Sequence, residues 1–167
     1  MSNTRAAPLS RVTPRRERVK SAAMILTCAE MQALEACAFA DGISAERLME
    51  EAGAEIAAAV RQFFPHAGKC VVAFGKGHNG GDALVAARLL ALRGWQIELR
   101  PAFAATEWSP LTARKHRELR DERPESTAIH RLGKGQALIV LDGLLGIGAD
   151  GPLREPIRAA ARRTRTA

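Results

Sequence analysis

One stretch, CVVAFGKGHNGGDALVAARLLAL from Cys70 to Leu92, restricts what this chain can fold into more than any other. Cys70 to Phe74 is a short apolar run with β-branched residues and a glycine at its end, the pattern of a buried strand. Gly75, Gly77, Gly80 and Gly81 then permit sharp turns and close backbone approach, and Asp82 leads into ALVAARLLAL, whose alanines and leucines favour helix. Strand, glycine loop and helix in direct succession predict a parallel sheet in an α/β domain. The first N–H groups of a helix lack partners inside it and carry partial positive charge, so a loop that bares them suits phosphate. A nucleotide is the ligand to which this stretch points.

Two further runs extend the sheet. Trp95 to Arg100 alternates as a second strand, stopped by Pro101, and Ala137 to Leu141 forms a third that delivers Asp142 at its end. Ligands of open parallel sheets bind beyond the carboxyl ends of the strands, so Asp142 is expected on the same edge as the Gly75–Asp82 loop. A second glycine-rich loop, GLLGIGADGPL, follows from Gly143, and a last helix is predicted from about Glu155 to Arg162. Thr27 with Glu30 makes a capping box for a helix over Cys28–Phe39, broken by Asp41-Gly42. Ser44 caps a second helix over Ala45–Phe63, in which Gly53 marks a close helix contact or an approach to the glycine loop or to a partner subunit. Ala105 to Asp121 reads as a further helix, with Ser109-Pro110 at its start.

A length of 167 residues with 47% hydrophobic content suits one domain. The net charge of +7 is concentrated in RVTPRRERVK and RRTRTA at the two ends, which leaves a mixed surface between them and argues against nucleic acid. Residues 1–21 read as a disordered basic tail and 22–167 as the domain. Cys28, Cys37 and Cys70 have no metal-ligand spacing and read as small buried residues in a reducing compartment. With no membrane span or signal peptide legible, the expected location is cytoplasmic. His116 and His130 read as surface or interface residues without a role.

Gly75 to Gly80 satisfies GxGxxG after a strand, and Glu98 on the next strand keeps a dehydrogenase arguable. Against it, HNGGD puts an imidazole, an amide and a carboxylate where a dinucleotide fold usually has plain backbone. A Walker loop fails because no Gly-Lys-Ser/Thr follows. Asp142 is a candidate for acid–base work or a cap of the loop behind it, and Asp82 a candidate ligand group or a cap of its helix.

GKGHNGGDALVAARLL resembles the GxGNNGGDGLVAARHL loop and helix of the NAD(P)H-hydrate epimerases, the YjeF-type N-terminal domain. ILTCAEMQALE, LMEEAG and LDGLLGIGADGPLREPI resemble that family's opening helix, its LMExAG helix and its DALFGTGxxxPLxxP segment, in the same order. The resemblance runs from about Met24 to Ile157 and implies a Rossmann-like three-layer αβα sandwich with a mainly parallel sheet. It implies epimerisation of the R and S forms of hydrated NADH and NADPH, with a functional link to a dehydratase and self-association as a homodimer. Carried over by motif, His78, Asn79, Gly80, Gly81 and Asp82 would contact substrate, with Gly146, Ile147, Gly148, Ala149, Asp150, Gly151 and Pro152 as the facing wall. Asn79 and Asp142 would coordinate potassium, and Asp142 would assist proton transfer. His78 replaces the family's first asparagine and Ala83 its following glycine. The family's later D-x-P-S-G strand has no counterpart here, so the domain is expected to be incomplete on its C-terminal side. The alternative is a catalytically inactive truncated homologue serving as a nucleotide-binding or interaction module.

Overall fold

The computed structural model describes residues 25–122 and 132–164, so the expected tail and His130 lie outside the described residues. In chain order the elements are α1 (Cys28–Ala40), α2 (Ala45–Phe63), β1 (Lys69–Phe74), α3 (His78–Ala91), β2 (Gln96–Pro101), a 3-10 turn (Ala105–Glu107), α4 (Pro110–Asp121), β3 (Leu138–Gly143) and α5 (Ile157–Thr164). The strands make one parallel sheet in the order β2-β1-β3. They run in step: Lys69 lies opposite Gln96 and Leu138, and Phe74 opposite Pro101 and Gly143. All three carboxyl ends therefore share one edge, the arrangement expected for an open α/β sheet.

Alternation along β1 sorts the core into two halves. Cys70, Val72 and Phe74 face α3 and join Leu84, Leu90, Ile97 and Leu119 in the main cluster. Ala73, on the opposite face, packs with Leu144, Ile157 and Ala160 beneath α5. Helices thus cover both faces, with most of the cover on the α3 side. On β3, Leu138 and Val140 each remain 42% exposed. Burial of the thiol pushes Cys70 up to about 12, so it packs as a small apolar residue. Cys28 and Cys37 instead lie exposed on α1, which corrects their reading as buried.

Close approach explains the glycine of α2. A Cβ at Gly53 would stand 2.5 Å from the Val85 Cβ of α3, so the bare position lets the two helices touch. Charge then ties α2 to α4. Lys115 is 2% exposed, and its ammonium donates to Glu46 and Glu50 of α2 at 2.8 and 2.7 Å and to Glu118 at 2.9 Å. Burial alone would lower the pKa of this lysine, but the hydrogen bonds to the three carboxylates outweigh it and hold the group above its usual value.

Three sequence expectations shift. The helix expected after Asp82 begins earlier, at His78 with Gly77 as its N-cap, because the glycines stack as a first turn: Gly80 and Gly81 donate to Gly77 O at 3.0 and 3.3 Å. The helix expected over Ala105–Asp121 divides, since Pro110 pushes Ser109 into an extended conformation (ψ 152°) and α4 starts afresh with Ser109 as its cap. His116 is not a bare surface residue. Its ring lies 4.8 Å from that of Trp108 and 6.2 Å from that of Phe74, and burial, then the charge of Arg120, lowers its pKa.

Candidate functional site

Parallel pairing brings the two glycine loops together. Gly75 N–H continues the ladder by donating to Gly143 O at 3.0 Å, and the chain leaves both strands at the same point. Asn79, in the first turn of α3, then donates from Nδ2 to Leu145 O at 2.6 Å and fastens the second loop against the helix. From the other side, the start of α4 holds the first loop: Ser109 N–H donates to Lys76 O at 2.8 Å and Thr112 Oγ1 lies 2.9 Å from Gly77 O. The Lys76 ammonium sits 4.8 Å over the Phe103 ring, which anchors its position at the mouth.

These loops and the α1–α2 pair enclose a cleft of about 850 Å³. Its volume suits a small organic ligand. Of the residues that the sequence singles out, His78, Asn79, Gly80, Asp82, Gly146, Ile147 and Gly148 line it. Gly81 does not; it turns inward, where an added Cβ would strike the Met49 side chain. Ala149, Asp150, Gly151 and Pro152 lie beyond the wall, in a turn where Ala149 N–H donates to Gly146 O at 3.1 Å and Gly151 N–H to Asp150 Oδ1 at 2.7 Å. The cleft also takes in Met31, Gln32, Glu35 and Phe39 of α1, with Lys76 and Ser109, to which sequence reasoning assigned no role at the site. A signal was present: α1 is mostly apolar, with Met31, Leu34 and Phe39 among its residues, and in the fold none of its residues is buried, as suits a helix that borders a cavity.

Asp82 is the carboxyl group of α3 inside the cleft, a full turn past the helix start and so not its cap. Burial is the main cause that pushes it from 3.8 up to about 6; Glu35 adds to the rise and His78 opposes it. Asp142 lies next to the cleft rather than in it, behind Leu144 and Leu145, which line both cavities. It borders a separate cavity of about 240 Å³ with Leu144, Leu145, Leu153, Ile157 and Ala161, and its Oδ1 accepts from Leu144 N–H at 3.0 Å. The loop-capping geometry considered for Asp142 is therefore present.

The donor chemistry fits potassium better than a transition metal. Asn79 spends its amide N–H on Leu145 and keeps Oδ1, while Asp142 commits one carboxylate oxygen to the turn, so both retain an oxygen suited to a hard cation. Among the described residues no group of three or more His, Cys, Asp or Glu could hold a metal ion. Glu98, the acidic residue of the dehydrogenase pattern, is already paired with Lys69 and Arg100 at 2.6 Å each; those hydrogen bonds lower its pKa and occupy it within β2.

The family described as YjeF-related protein N-terminus matches residues 45–167. An NAD(P)H-hydrate epimerase of Roseobacter litoralis is 32% identical over 84% of this chain and 72% of its own length. A bifunctional NAD(P)H-hydrate repair enzyme Nnr of Thermosynechococcus vestitus is 37% identical over 75% of the chain, which spans 25% of that relative. In fold, the crystal structure of the yeast protein ynu0 aligns with a TM-score of 0.67 at 22% identity, over 86% of this chain and 65% of the yeast one. Among the described residues no helix is long and apolar enough to cross a membrane.

Proposed function

Since this chain belongs to the family of YjeF-related protein N-terminal domains, we propose that it interconverts the R and S forms of hydrated NADH and NADPH. Relatives of which the chain covers 72% and 65% bear the name NAD(P)H-hydrate epimerase, which supports the reading. The observation that carries it is the half-buried Asp82 carboxyl group, which lines the cleft beside the glycine loop.

Inverting a hydroxyl-bearing ring carbon next to nitrogen requires its C–O bond to break and re-form on the other face. The nitrogen lone pair fills the vacated position, the oxygen leaves as water with a proton from a carboxylic acid, and a second water enters opposite and returns its proton to the carboxylate. Asp82 suits both steps, because a pKa of about 6 keeps acid and base forms populated near neutrality. The substrate's pyrophosphate is assigned to the N–H groups at the start of α3, and Met31 and Phe39 to apolar cover that limits water at the reacting carbon. Asn79 and Asp142 would hold potassium, which when bound would supply positive charge to substrate oxygens. A dehydratase, the functional link that the family resemblance implies, would consume one of the two epimers.

The test follows purified R-NADHX by chromatographic separation of the epimers, with and without potassium. Interconversion above the spontaneous rate is expected, with Asp82→Asn slower by roughly 100-fold and Asp142→Ala losing the potassium response. A folded protein that gives no acceleration overturns the proposal. Retained binding of ADP-ribose in that case would favour the module without turnover.

A further inference from the structure

The glycine loop is held from two sides, by the first turn of α3 and by the start of α4. Thr112 is fully buried in the first turn of α4, and its Oγ1 lies 2.9 Å from Gly77 O and 3.2 Å from Lys76 O. Ser109 stands beside it: its N–H holds Lys76 O at 2.8 Å, and its hydroxyl is 2.9 Å from Thr112 Oγ1. A buried hydroxyl must be satisfied, and here its single proton is shared between the two carbonyls that bracket the turn into α3, Gly77 O being the nearer, with the Ser109 hydroxyl beside them.

A peptide unit is planar, with its C=O and the following N–H pointing in opposite directions. Holding Lys76 O and Gly77 O toward α4 therefore turns the N–H groups of Gly77 and His78 away from it, at the open start of α3. Both residues border the cleft. A flip of either unit would replace a donor with an oxygen, which repels phosphate. The first turn of α3 already holds Gly77 O through Gly80 and Gly81 N–H, and Ser109 N–H holds Lys76 O; among the described residues the Thr112 hydroxyl is the one side-chain group that touches both carbonyls and ties the two units to each other.

We propose that Thr112 is the positioning residue of this loop, locking its peptide units in the orientation that accepts the anionic part of the substrate. The inference rests on the nucleotide reading of the cleft but not on turnover. Unlike Asp82, Thr112 touches no reacting atom, and its effect falls on binding.

Thr112→Val keeps the shape and removes the hydroxyl; Thr112→Ser keeps the hydroxyl. Calorimetric binding of ADP-ribose, which carries the pyrophosphate, is measured for both and for wild type, together with KM and kcat for R-NADHX and thermal unfolding. Thr112→Val is expected to weaken ADP-ribose binding and raise KM by about tenfold, the worth of one hydrogen bond, with kcat changed by less than about twofold. Thr112→Ser should stay within about twofold of wild type in both constants. Unchanged ADP-ribose binding by folded Thr112→Val overturns the inference, as does equal impairment of the two variants, which would mark a packing role. A wild type that fails to bind ADP-ribose also overturns it. If the wild type binds ADP-ribose without epimerising R-NADHX, the activity falls and the dissociation constants alone decide the role of Thr112.

Discussion

Asp82 carries a conflict between stability and chemistry in one side chain. Its carboxyl holds a proton more tightly in the folded chain, at about 6, than at its ordinary value of 3.8. Protonation thus favours folding: this group costs nothing below about 3.8, the cost grows as pH rises to about 6, and it stays constant above. Asp82→Asn should remove that cost. Urea midpoints are expected to show the variant gaining on wild type across this window and keeping a constant lead above it, while epimerisation falls. Parallel midpoints at every pH would show that the carboxyl is not buried as described. Such a trade is common where a group is desolvated for reactivity.

Among the elements, α3 is the one on which the others depend. It lies on the sheet, flanks the cleft with its first turn and receives α2 at Gly53. Alanine has a helix propensity about 1 kcal/mol better than glycine, yet Gly53→Ala should destabilise. The new methyl would meet the Val85 Cβ at 2.5 Å and the Ala86 amide nitrogen at 3.0 Å, neither of which can swing aside. Overpacking of this kind costs ~1–3 kcal/mol, so a net loss of roughly 1 kcal/mol is expected from denaturant unfolding. A more stable variant would mean that the helices part freely. At the α2–α4 contact, Lys115→Met removes the buried cation that Glu46, Glu50 and Glu118 share and leaves Glu46 and Glu118 with Arg114 and Glu50 with Arg88. The expected loss is roughly 3 kcal/mol by the same measurement; a neutral result would show that solvent already screens the three carboxylates.

For the whole molecule, the unequal cover of the two sheet faces has a consequence in solution. β3 forms one end of the sheet among the described residues, with Leu138 and Val140 each 42% exposed. An apolar edge strand invites pairing with another chain, and an edge lysine opposes it. Sedimentation velocity over a concentration series should show wild-type self-association that Val140→Lys reduces. Equal behaviour of the two would place any association elsewhere.

Much of this architecture was legible residue by residue. Apolar runs and caps located the three strands and five α-helices of the described residues, because period and capping chemistry act over a few neighbours: Thr27 with Glu30 starts α1 and Ser44 starts α2 as read. The rule that ligands bind beyond the carboxyl ends of parallel strands also placed the two glycine loops on one edge. Other features needed the assembled chain. HNGG reads as loop because glycine is a poor helix former, and only packing against Gly75 O and Met49 makes it a helical turn. The α1 wall of the cleft, the inward turn of Gly81, the engagement of Glu98 by Lys69 and Arg100, and the lock of Thr112 on the loop all join residues distant in sequence. Local chemistry in the sequence determined the elements and their order. Which side chains share a cleft, and which carboxyl is desolvated there, depends on long-range contacts and burial that only the tertiary structure decides.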